Sequence, residues 1–141
     1  MEKLSLDFEP FLDEATRQFI VNGVDNHNIA VTGRPDYWPV NFVLRAAQGE
    51  VAGGILGQIW ADWLQVTYLW VALPYRRRGK AAALLTAAET YAQERGCIAA
   101  TIETHNPVAR ALYERQGYKV FAELKDYPPG GAKVFLEKRW G

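Results

Sequence analysis

Apolar and polar residues along this chain recur with two periods, one of two residues and one near three and a half, and these periods divide it into elements. Leu4, Leu6 and Phe8 alternate with Ser5 and Asp7, and Pro10 blocks continuation, which predicts an edge strand. Leu12, Ala15, Phe19 and Ile20 then recur at helical spacing opposite Asp13, Glu14, Arg17 and Gln18, predicting an amphipathic helix from Phe11. Gly23, Asn26, Asn28, Gly33 and Pro35 interrupt both periods, so residues 23–39 are expected to be mostly loop, with room for a short helical turn.

Phe42, Leu44 and Ala46 alternate before Gln48-Gly49-Glu50, and Val51 to Ala61 departs as a second run, so an antiparallel hairpin is expected. Gly53, Gly54 and Gly57 point to a bulge or a close backbone approach within it. Leu64 to Val71, rich in β-branched and aromatic residues, completes a three-strand meander. Ala81, Leu84, Leu85, Ala88, Tyr91 and Ala92 form a helical face closed by Arg95-Gly96. Cys97 to Ile102 reads as a strand parallel to the preceding one, completing a right-handed βαβ unit. Asn106-Pro107 opens a helix lined by Ala109, Leu112 and Tyr113 and ended by Gly117. Tyr118 to Leu124 and Ala132 to Lys138 form a last strand pair around the loop Asp126-Tyr127-Pro128-Pro129-Gly130-Gly131.

At 141 residues the chain suits one domain spanning 1–141. Sixteen basic residues balance sixteen acidic ones, so no global field favours nucleic acid or an anionic membrane. Against that neutral background Arg76, Arg77, Arg78 and Lys80 cluster around Gly79, where a strand gives way to a helix. Unpaired N–H groups, a positive helix end and four cations make this turn a seat for a phosphate or pyrophosphate. Cys97 is the only cysteine, which excludes an internal disulfide; with only His27 and His105 beside it, no zinc spacing exists and no metal is expected. The start of the chain lacks a basic segment followed by an apolar run, and no stretch of about 18 apolar residues occurs, so a cytoplasmic protein without membrane association is expected.

Two motifs in sequence resemble those of the GCN5-related N-acetyltransferase (GNAT) family. Arg76-x-x-Gly79-x-Ala81 is similar to its acyl-CoA signature, and Asn106-x-x-Ala109-x-x-Leu112-Tyr113-x-x-x-Gly117-Tyr118 to its second segment. The resemblance covers residues 42–138. It implies an α+β (α/β) fold of the GNAT type: a twisted, mostly antiparallel mixed sheet of six to seven strands, with a splayed central parallel pair and flanking helices.

The resemblance also implies acetyl-CoA as co-substrate. Backbone groups of Arg78, Gly79, Ala81 and Ala82 would hold its pyrophosphate, with Arg76, Arg77 and Lys80 supplying charge. The backbone of Trp70 and Val71 would pair with the pantetheine arm, and the Val71 N–H would polarise the thioester. Asn106 would contact the arm, beside an equally natural role as helix N-cap. Tyr113 would protonate the departing thiolate, the alternative being a packed core tyrosine. Glu103 is the first candidate for a general base, the alternatives being a surface carboxylate and, for His105, a loop histidine. Cys97 reads as a small buried hydrophobe. Trp38, Trp60, Trp63, Trp70 and Tyr37 either line an aromatic acceptor pocket or serve ordinary packing, the latter preferred.

The function implied is direct acetyl transfer to the primary amine of a small molecule, less readily of a protein, with a homodimer a reasonable expectation. The alternative is a non-catalytic acetyl-CoA-binding sensor. A nucleic-acid binder using Arg76 to Lys80 is disfavoured by the neutral remainder of the chain.

Overall fold

The computed structural model describes residues 1–140, which fall into two compact units, one from Met1 to Pro35 and one from Asp36 onward. In the first, residues 1–9 adopt neither helix nor strand, contrary to the edge strand expected over Leu4 to Phe8. Alternation marks a surface that a strand could present, but a ladder also needs a neighbouring edge. Helix α1 (Glu14–Thr32) is capped by Asp13, whose carboxylate accepts from the Thr16 N–H at 2.7 Å. That bond holds the exposed Asp13 carboxyl below its ordinary pKa.

The loop expected over residues 23–39 is also corrected, because α1 runs through Gly23, Asn26 and Asn28 to Thr32. Each of these residues costs up to about 1 kcal/mol in helix propensity, too little to break a 19-residue helix. Its side chains also bond along the axis, Gln18 to Asn22 at 2.8 Å and Thr32 to the Asn28 carbonyl at 2.7 Å. The stop is Gly33, left-handed at φ 70°, whose N–H reaches the Ile29 carbonyl at 2.8 Å.

The second unit contains β1 (Trp38–Arg45), β2 (Val51–Trp60), β3 (Trp63–Val71), α2 (Lys80–Glu94), β4 (Ala99–Thr104), α3 (Pro107–Arg115), β5 (Lys119–Lys125) and β6 (Ala132–Arg139). They form one six-stranded sheet in the order β1-β2-β3-β4-β6-β5. Only β3 and β4 pair in parallel; the other neighbours are antiparallel. The crossovers β3-α2-β4 and β4-α3-β5 step in the same direction across the sheet, so right-handed connections place both helices on one face. Leu84, Leu85 and Ala88 of α2 and Tyr113 of α3 accordingly share one core with Leu64, Ile102 and Leu136 of the sheet. Leu85, fully buried, contributes about 1.5–3 kcal/mol.

The glycines of β2 meet β3 closely. A Cβ at Gly57 would strike the Gln65 carbonyl, and one at Gly53 would lie 2.7 Å from the Trp70 carbonyl. The close approach at Gly57 coincides with a bulge. Leu56 pairs with Tyr68 and Gly57 with Val66, which leaves Thr67 as the extra residue of β3.

Candidate active site

The parallel pair is short. Trp63, Leu64 and Gln65 pair with Ala99, Ala100 and Thr101, and no further pairs form. Beyond them β3 stays with β2 as far as Val71, while β4 stays with β6 through Thr104. The two strands therefore diverge, and the bulge at Thr67, two residues past the last pair, supplies a bend in β3 where they part. A cavity of about 70 Å³ opens at the fork, lined by Gln65, Val66, Thr67, Thr101, Ile102 and Glu103.

Hydrogen-bond alternation identifies which backbone groups face the open edge. The Ala72 N–H donates to the Ala52 carbonyl at 2.8 Å, on the β2 side. Trp70, two residues earlier and opposite Gly54, therefore also directs its N–H and carbonyl toward β2, whereas those of Val71 point to the edge β4 has left. Of the two residues expected to offer backbone groups, only Val71 does so in this arrangement.

Past Val71 the chain makes a one-turn 3-10 helix (Leu73–Tyr75) and then the basic turn. Arg77 and Gly79 are left-handed, at φ 63° and 72°. For Gly79 this conformation carries little strain, and Gly79 is the N-cap of α2. The N–H groups of Lys80, Ala81 and Ala82 fall in the first turn of α2, before the ladder of intrahelical bonds begins with Ala83 to the Gly79 carbonyl at 3.0 Å. The four cations do not act alike. Arg76 folds back, its Nε donating to the Val71 carbonyl at 2.7 Å, and so braces the turn against the strand. Among the described residues the side chains of Arg77, Arg78 and Lys80 have no such partner and remain available to an anion.

Asn106 is the N-cap of α3. Its Oδ1 accepts from the Val108 N–H at 2.9 Å, which leaves the Nδ2 donor for another partner. Tyr113 is buried, 6% exposed, and burial pushes its phenol above the ordinary tyrosine pKa, so it holds its proton at neutral pH. Its ring leans on Tyr118, with centroids 6.2 Å apart.

Among the described residues Glu103 is the only ionisable one lining the fork cavity, and it pairs with Lys133 at 3.2 Å. His105 lies outside that lining. Its Nδ1 sits 2.9 Å from the Tyr127 carbonyl and its ring stacks on Tyr127 at 4.9 Å, beside Pro128 and Pro129. Cys97 is buried and burial raises its thiol pKa, as expected of a small hydrophobe.

Two of the tryptophans serve packing. Trp38 bonds the Tyr91 hydroxyl at 2.8 Å under the Arg95 guanidinium, and Trp63 lies under Arg139, at the closed end of the parallel pair. Gln58 and Thr101 carry no motif in the sequence that marks them for the site. Gln58 accepts from Thr67 at 3.1 Å and donates to Gln65 at 2.7 Å, while Thr101 donates to the Leu136 carbonyl at 3.1 Å. The period-two pattern of β2 and β3 places Gln58 and Gln65 on one face, but only the pairing register makes them neighbours.

The sequence and the fold are both shared with known proteins. The chain is 37% identical to acetyltransferase Atu2258 of Agrobacterium fabrum over 81% of its own length and 83% of that protein's. It is 42% identical to blasticidin-S acetyltransferase of Streptomyces morookaense over 64% of its own length and 68% of that protein's. A crystal structure from Agrobacterium tumefaciens superposes with a TM-score of 0.91 at 32% identity, covering 97% of this chain and all of that one. Residues 5–118 match the model of the acetyltransferase (GNAT) family, and the chain belongs to that family.

Proposed function

We propose that the chain is an acetyl-CoA-dependent N-acetyltransferase, acting as one domain over residues 1–141, that transfers acetyl directly to a primary amine of a small molecule. The observation that carries this reading is the fork between β3 and β4, which leaves the Val71 N–H at an open strand edge next to the basic turn. The small-molecule acceptor is favoured by the 42% identity to blasticidin-S acetyltransferase.

The residues fit a pyrophosphate joined to an amide-bearing arm. The N–H groups of Gly79, Ala81 and Ala82 and the side chains of Arg77, Arg78 and Lys80 would hold the pyrophosphate. Asn106 Nδ2 and the edge of β3 would hold the arm. Acetyl-CoA supplies an activated acyl group. The Val71 N–H stabilises negative charge developing on the carbonyl oxygen. Glu103 takes the proton lost by the attacking amine, and Tyr113 gives its proton to the sulfur as the carbon–sulfur bond breaks.

Calorimetric titration with acetyl-CoA tests the cofactor half of this reading, and turnover with an amine panel tests the rest. Saturable binding followed by thiol release is expected. Binding without release across the panel would instead fit the non-catalytic sensor, and absence of binding would remove both.

A further inference from the structure

We propose that Glu89 and Tyr118 are positioning residues for the Tyr113 phenol, an inference that rests on the acid role given to Tyr113 above. Glu89, in the middle of α2, is the one buried polar or charged residue among the described residues, at 7% exposure. Its carboxylate accepts from the Tyr118 hydroxyl and from the Lys138 ammonium, each at 2.8 Å. Lys138 lies 5.7 Å over the Tyr118 ring and packs along Gly117, which turns the chain out of α3 at φ 97°. One carboxylate thus ties together α2, the turn that ends α3, and β6.

Such an arrangement is a poor source of stability. A buried carboxylate loses its hydration, and an ion pair recovers little more than that loss, so an apolar cluster of similar volume would often serve as well. What the trio does supply is fixed geometry. Tyr113 has no side-chain hydrogen bond among the described residues, so packing sets its orientation. Its ring rests on Tyr118 at 6.2 Å and 58°, and the Tyr118 N–H donates to the Tyr113 carbonyl at 3.0 Å. The Tyr118 ring is held in turn by Glu89. The helix that begins at the basic turn therefore also orients the phenol on α3, and the two halves of the site are registered through the contacts of Glu89 and Tyr118.

The test is a double-mutant cycle between Tyr118→Phe and Tyr113→Phe. Tyr118→Phe removes one oxygen, keeps the ring, and leaves Glu89 paired with Lys138. It is expected to lower kcat about ten- to hundredfold through misplacement of the phenol, with the acetyl-CoA Kd unchanged. In the Tyr113→Phe background it should cost nothing further, because the group it positions is gone. Glu89→Gln, which keeps an acceptor for the Tyr118 phenol, should retain kcat better than Tyr118→Phe. Wild-type kcat in Tyr118→Phe beside an impaired Tyr113→Phe, additive losses in the double variant, or the reverse ranking of the two second-site variants would overturn this inference alone. Wild-type kcat in Tyr113→Phe would overturn the acid role and this inference with it.

Discussion

Gln65 of β3 and Thr101 of β4 are the last paired residues of the parallel ladder, and Val71 and the basic turn follow on the stretch of chain beyond that pair. Had the two strands stayed paired that far, the Val71 N–H would face a neighbouring backbone. Because it stops, a strand edge at the centre of the sheet is left open to an extended ligand. The bulge at Thr67 is what separates this geometry from an ordinary βαβ unit.

The left-handed Gly79 sets the backbone of the basic turn. Gly79→Ala meets no steric obstacle, since nothing lies within 4 Å of the added Cβ, but forces an L-residue to φ 72° at a cost of roughly 1–2 kcal/mol. If the turn relaxes to escape that strain, acetyl-CoA binding weakens by about tenfold or more. Calorimetric titration reads the loss directly, and thermal unfolding reads the strain that remains.

Arg76 and Arg78 lie two residues apart in sequence but are separable by experiment. Arg76→Ala removes the 2.7 Å bond to the Val71 carbonyl and is expected to lower stability by about 1 kcal/mol or more as well as weakening acetyl-CoA binding. Arg78→Ala is expected to weaken binding with the melting temperature unchanged. Thermal unfolding of both variants with and without acetyl-CoA distinguishes the bracing cation from the binding one.

Glu103→Gln tests the base. Loss of a positioned proton acceptor is expected to lower kcat/KM for the amine about a hundredfold while the acetyl-CoA KM holds. The deficit should shrink as pH rises and the free-amine fraction grows. Initial rates at varied pH measure this, and a wild-type rate would reduce Glu103 to the partner of Lys133.

Much of this arrangement could be read from the chain before any coordinates. The basic turn, the Asn106 cap and Tyr113 carry their own punctuation in glycine, asparagine and proline, and α2 and α3 begin where those residues say. The failures lie where local signals need a partner to decide them. Leu4 to Phe8 alternate as a strand does yet form none, and Gly23 with two asparagines failed to stop α1 because only Gly33 adopts the left-handed cap. The inward fold of Arg76 and the orientation of the Trp70 backbone depend on hydrogen-bond parity along β3, which a bulge shifts and composition cannot reveal.

The buried phenols give the protein an alkaline limit. Burial pushes Tyr113 and Tyr118 above the ordinary value of 10.0, and the Glu89 carboxylate pushes Tyr118 further. The folded chain therefore binds more protons than the unfolded chain above about pH 10, so this stability is intact below that pH and falls as pH rises beyond it. Melting temperatures between pH 8 and 11 should be level and then drop, with a shallower drop in Tyr118→Phe.

Thiol release from acetyl-CoA, followed together with the mass of the amine product for the wild type and Tyr113→Phe, tests most directly acetyl transfer to an amine with Tyr113 as the acid. One thiol per acetylated amine is expected from the wild type, with a kcat about a hundredfold lower in Tyr113→Phe at unchanged acetyl-CoA affinity. Equal turnover by the two proteins, or no thiol release by the wild type with any primary amine despite acetyl-CoA binding, would contradict it.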